Sequence, residues 1–159
     1  VNERITCRLI LLDPDNRILL MKIRGEWGND TGKPIWITLG GGLEEGESVM
    51  DAAIREAWEE SGIEDIEIGP AVAYIETMGW LNKQPCLFRE TFVAAHAPTA
   101  ETRQDNWTEI ERKVVAELRW WTLDELRATD EIVLPTMLVD LLPDVIAGRY
   151  PEEMLRITL

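Results

Sequence analysis

Three glutamates, Glu56, Glu59 and Glu60, hold the densest concentration of chemistry in the sequence. In a helix each residue advances by about 100°, so positions i, i+3 and i+4 share one face. Carboxylates crowded together in this way repel one another unless a cation lies among them. Hard oxygen ligands suit Mg²⁺, with Mn²⁺ as an alternative, and such ions commonly bridge to substrate phosphates. An isolated E-x-x-E-E has a blander reading, a solvated acidic helix face. His96 is the only histidine and closes an apolar run, so histidine catalysis is not expected.

The flanking residues must set these carboxylates in place. Ser48 can cap a helix start, with Asp51 three residues on as in a capping box. Gly62 suits a left-handed C′ position, which predicts a helix over residues 49–61. Upstream, Gly40-Gly41-Gly42 cuts off the preceding strand before the helix.

Residues 41–63, GGLEEGESVMDAAIREAWEESGI, resemble the signature of the Nudix family, G-x5-E-x7-R-E-U-x-E-E-x-G-U, where U is bulky and apolar. Gly41, Glu47, Arg55, Glu56, Glu59, Glu60, Gly62 and Ile63 stand at the required positions, and the first U is the small Ala57. The resemblance implies an α/β fold: an α/β/α sandwich around a mixed sheet, with the signature as a loop–helix–loop. It implies metal coordination by Glu56, Glu59 and Glu60, with the Gly40 carbonyl as a further ligand. It implies a Glu47–Arg55 ion pair fixing loop to helix, and structural roles for Gly41 and Gly62. An additional glutamate outside the signature is expected to face the metals; Glu117 is the first choice, Glu111 the second, and Glu109 a further candidate. One departure concerns residue 39, a leucine where a proline commonly precedes the glycines.

The remaining elements read as follows. Residues 5–12 and 17–23 are apolar and β-forming, and Asp13-Pro14-Asp15-Asn16 between them predicts a hairpin. Residues 24–34 predict a loop, and residues 35–38 a short strand ended by the glycines. Residues 66–77 and 86–95 have strand character and are joined through 79–85. Residues 97–113 predict an exposed connection, and 114–121 a strand. Thr122 opens a short helix, and a last helix is expected over 135–146 despite Pro143. At 159 residues the chain fits one domain, 1–159, with a single substantial core.

With 30 acidic and 16 basic residues the net charge is −14, which disfavours long nucleic-acid partners and leaves room for a small phosphorylated substrate only where divalent cations bridge the like charges. The resemblance implies that this substrate is of nucleotide type. No apolar run approaches the roughly 18–20 residues that cross a bilayer, so no membrane association is expected. Two cysteines, Cys7 and Cys86, suggest no disulfide framework and fit a reduced cytoplasmic setting. Whether the chain forms a homodimer is left open.

The resemblance implies a pyrophosphohydrolase acting on a nucleoside triphosphate or an NDP-sugar type substrate. The position that holds proline in ADP-ribose hydrolases is Gly79 here, and the tyrosine window of dinucleoside polyphosphate hydrolases holds Trp80. Trp27, Trp80 and Trp107 fall in expected loops where an indole can stack on a base, although packing is the commoner use; Trp36 is expected at the sheet edge. A nucleotide-sensing module without catalysis is the alternative, set against the complete set of signature glutamates. An isomerase acting on a diphosphate lipid precursor is a third reading, for which no cysteine–glutamate pair can be assigned.

Overall fold

The computed structural model describes residues 2–28 and 31–159. In chain order they form β1 (Asn2–Leu12), β2 (Ile18–Ile23), a four-residue α1 (Gly25–Gly28), β3 (Ile35–Gly42), α2 (Val49–Ser61), β4 (Glu67–Leu81) and β5 (Gln84–His96). There follow α3 (Glu109–Val114), β6 (Val115–Trp121), α4 (Leu123–Ala128), β7 (Ile132–Leu134), α5 (Leu138–Ile146) and β8 (Leu155–Thr158). The strands make one mixed sheet in the order β6-β2-β3-β1-β5-β4-β8, with β7 beside β3.

Strand side chains alternate between faces, and here both faces are apolar. Cys7, Leu9 and Leu11 of β1, with Leu19, Met21, Leu39 and Val93, lie under α2. Ala52, Ala53 and Ala57 are fully buried at that contact, so small side chains let the helix sit close to the strands. This accounts for the small residue at the first U position. Ile10, Leu12, Ile18, Leu20 and Phe92 point the other way, onto Leu126 of α4 and Leu138, Leu142 and Val145 of α5. Helices on both faces complete the expected α/β/α sandwich.

The local reading needs correction wherever long-range pairing decides. The turn at residues 13–16 forms, with the Asp13 carboxylate accepting from the Asp15 and Arg17 N–H groups at 3.0 and 2.8 Å. Its two strands, however, pair only at Leu12↔Ile18. β3 lies between them, antiparallel to β2 through Leu20↔Thr38 and to β1 through Leu9↔Leu39. β3 has buried residues on both faces, Trp36 on one and Leu39 on the other, which suits an interior strand with ladder partners on each side.

Nor do the glycines end β3; it runs on to Gly42. A Cβ at Gly40 would sit 2.0 Å from the Cys7 carbonyl oxygen, so glycine here allows close backbone approach rather than a break. The β4–β5 hairpin turns tightly on Asn82 and Lys83, both at positive φ (51° and 65°), which moves Gly79 and Trp80 from a loop into a strand. The expected loop 24–34 contains α1, and its residues 29 and 30 lie outside the described residues. The connection 97–113 contains the start of α3, and α5 begins at Leu138 with Pro143 inside it. β7 and β8, three and four residues long, are too short to stand out as strands in the sequence.

Candidate functional site

Helix α2 forms where its caps require. The Ser48 side chain accepts from the Asp51 N–H at 3.1 Å, and Gly62 closes the helix at φ 74°. Its glutamates differ in environment: Glu56 and Glu60 are buried, and Glu59 is half-buried.

Glu60 accepts a hydrogen bond from the Gly40 N–H at 2.7 Å, tying the helix to the glycine strand. Burial pushes its carboxyl well above the usual carboxylate range, and the charges of Glu56 and Glu111 add to this. Glu56 is also raised, by burial first; the Arg55 guanidinium opposes the shift and Glu59 adds to it. Gly41 faces this group, since a Cβ there would lie 2.5 Å from Glu56 Oε1.

Arg55 binds the signature together. Its Nε and Nη2 donate to the two Glu47 carboxylate oxygens, both at 2.8 Å. Nη1 donates to Glu56 at 3.0 Å and to Glu59 at 3.2 Å, and Nη2 reaches the Gly42 carbonyl at 3.2 Å. The fork holds Glu47 down at a pKa of about 2, and the same bonds raise Arg55.

The C-terminal end of α2 positions the next element. Trp107 Nε1 donates to the Glu60 carbonyl at 2.7 Å, and the Asn106 side chain donates to the Trp58 carbonyl at 3.2 Å. Trp107 is therefore a buried anchor rather than a stacking platform. Immediately after it, Thr108 and Glu111 make a complete capping box that starts α3.

A cleft of about 640 Å³ gathers Glu56, Glu59, Glu60 and Glu111, together with Gly40 and Gly41. Glu117 does not line it; that side chain is exposed on β6, opposite Lys22. Glu109 is exposed as well. Trp27 and Trp80 line the cleft, with Lys83 Nζ 4.9 Å from the Trp27 ring. Trp36 is buried in the second core, edge-on to Trp121 at 5.1 Å, and not at the sheet edge. Among the described residues no three acidic, histidine or cysteine side chains converge as a preformed ligand cage; Arg55 holds two of the carboxylates. The candidate donors on the cleft are nonetheless all hard oxygens, a chemistry that fits a divalent cation.

The sequence reading missed a second arginine cluster. Arg8 Nε pairs with Glu90 Oε2 at 2.6 Å, Thr6 donates to the same oxygen at 2.9 Å, and Arg8 Nη1 donates to the Thr38 carbonyl at 3.2 Å. Gly40 O lies 3.4 Å from the same Nη1. The available signal was a lone charge inside the apolar run ITCRLILL.

An acidic cleft built on a loop–helix–loop within an α/β/α sandwich is the architecture that residues 41–63 resemble. The NUDIX domain model matches residues 3–140, so the chain belongs to the Nudix family, a family of hydrolases. In shape it is similar to a UDP-X diphosphatase, with TM-score 0.65, 18% identity, and coverage of 99% of this chain and 68% of that one. It is also similar to a NUDIX-family hydrolase from Clostridium perfringens (TM-score 0.62, 16% identity, 93% and 99% covered). A MutT protein from Methanosarcina mazei Go1 matches comparably (TM-score 0.62, 17% identity, 92% and 95% covered). Identities this low speak for the fold alone. No curated protein matches the sequence.

Proposed function

We propose that the chain, acting as one domain over residues 1–159, is a Mg²⁺-dependent hydrolase of a phosphoanhydride bond. The substrate is a nucleoside diphosphate linked to a further group, as in a nucleoside triphosphate or NDP-sugar. The observation that carries this reading is the gathering of Glu56, Glu59, Glu60 and Glu111 on one cleft. UDP-X diphosphatase and MutT folds among its structural relatives agree with it.

Glu56, Glu59, Glu60 and the Gly40 carbonyl would hold the metal, and Mn²⁺ can replace Mg²⁺. Bound there, the ion supplies charge neutralisation at phosphorus and an acidified water. Glu111, on the cleft wall, would serve as the base: its carboxylate would orient the attacking water and take its proton as the P–O bond to the leaving phosphate breaks. Arg55 and Glu47 act indirectly, by fixing the carboxylates against the glycine strand. Trp27 and Trp80, on the cleft wall, offer flat surface to the nucleoside.

A reducing cytoplasmic setting belongs to the same reading, supported by free, buried Cys7 and Cys86. Burial pushes the Cys7 thiol up to about 12, so it is no nucleophile. No helix among the described residues is long and apolar enough to cross a membrane.

The test is product release from a panel of phosphoanhydrides with Mg²⁺, comparing wild type with Glu59→Gln and Glu111→Gln. Turnover by wild type that collapses in both variants is expected. No turnover of any phosphoanhydride, or equal turnover by all three proteins, contradicts the mechanism.

A further inference from the structure

Two guanidiniums, Arg4 and Arg8, line a cleft otherwise crowded with carboxylates. Four residues apart on β1, they lie on the same face of the strand. Arg8 is neutralised by Glu90 at 2.6 Å and spends Nη1 on the Thr38 carbonyl. Arg4 is different: among the described residues it makes no ion pair.

Three of its four acidic neighbours pair with other arginines. In the shallow groove adjoining the cleft, Arg4 sits beside Glu3, Glu44, Glu45 and Glu47. Glu3 pairs with Arg89 at 3.0 Å, Glu47 with Arg55 at 2.8 Å, and Glu44 with Arg55 at 3.8 Å; Glu45 is exposed. Arg4 itself lies beside β3. It is half-buried and lies against Gly42, where a Cβ would come 3.0 Å from its Nε and 3.1 Å from its Nη2. Glycine at 42 thus gives the flat guanidinium a seat on the strand without consuming its donors in an ion pair. A fork of N–H donors free of any ion pair at a cleft wall has the chemistry of a phosphate or carboxylate receptor.

We propose that Arg4 binds an anionic group of the substrate, a phosphate of the nucleoside diphosphate moiety. Gly41 and Gly42 are consecutive on β3, so Glu56 and Arg4 meet opposite faces of that strand, and both line the same cleft. The metal would neutralise the reacting phosphate from the carboxylate side and Arg4 the other from the β1 side. This inference rests on the proposed phosphoanhydride reading, and a binding measurement separates the two.

The experiment compares wild type, Arg4→Met and Arg4→Lys, each checked for wild-type folding by circular dichroism. Steady-state kinetics with Mg²⁺ are paired with calorimetric titration of ADP at low salt in EDTA. In Arg4→Met, KM is expected to rise about tenfold or more with kcat within a few-fold, and ADP affinity to fall in parallel. Arg4→Lys recovers part of both and weakens the dependence of KM on ionic strength less than Arg4→Met does. Unchanged KM and unchanged ADP affinity in Arg4→Met overturn the assignment, as does a loss confined to kcat. ADP binding that depends on Arg4 in a wild type that hydrolyses nothing refutes the hydrolase reading and keeps this one. Absence of both turnover and ADP binding refutes both.

Discussion

β3 is gripped by an arginine–carboxylate cluster on each side. On the helix side Arg55, forked onto Glu47, reaches the Gly42 carbonyl. On the strand side Arg8, paired with Glu90, reaches the Thr38 carbonyl. Arg55 and Glu47 are eight residues apart in sequence, whereas Arg8 and Glu90 are separated by 82. The side chains of Arg8 and Glu90 are both 14% accessible, against 21% for Arg55 and 13% for Glu47. The first cluster touches the carboxylates that would hold a metal; the second braces the strand from the cleft wall. Similar contacts should therefore fail differently when cut: one as lost chemistry, the other as lost stability.

The largest effect belongs to the helix side. Glu60→Gln is expected to lower turnover by several orders of magnitude while leaving the fold intact, checked by kinetics beside a thermal melt. Arg8→Met should strand the Glu90 charge and cost about 3 kcal/mol in denaturant unfolding. Arg8→Met combined with Glu90→Met should recover much of that loss. Arg55→Met should cost less, since Arg55 is the more exposed of the two guanidiniums, yet reduce turnover more than its stability loss explains. Equal stability losses for Arg8→Met and Arg55→Met would erase the contrast.

Smaller effects follow pH. In metal-free protein the folded Glu60 pKa lies above its ordinary value, so the folded state holds the extra proton. Stability is then highest below the unfolded pKa, near 4.5, and falls as pH rises through the higher folded value. Melts in EDTA at pH values rising from about 4.5 should show that decline, and Glu60→Gln should flatten it. Glu47 has the opposite sign: its stabilisation is present above about 4.5 and is lost as pH falls through about 2. Arg55→Met should blunt that acid limb, and an unchanged acid limb would count against the fork.

The same division governs what the sequence makes legible. Caps and helical spacing are local, so α2 could be bounded from Ser48 to Gly62 and its glutamates placed on one face. The sandwich followed from the resemblance carried by that same segment. Wedging β3 into the β1–β2 hairpin depends on partners far along the chain, and no turn residue encodes it. The Asn82–Lys83 turn lacks the glycine that usually advertises a two-residue hairpin. Glu117 stood out through its aromatic strand, whereas Glu111 reaches the cleft because Trp107 fastens the preceding loop to the Glu60 carbonyl. Arg4 and Arg8 could be seen as charges in β1, but their different states of pairing required Gly42, Glu90 and the groove to be brought together.

The central claim is that the buried glutamates of α2 hold a divalent cation in the cleft. Titration of Mn²⁺ into wild type and Glu60→Gln, followed by electron paramagnetic resonance, tests it without requiring a substrate. A saturable site in wild type that is lost or weakened at least about tenfold in Glu60→Gln is the predicted result. Equal Mn²⁺ affinity in the two folded proteins would contradict the account.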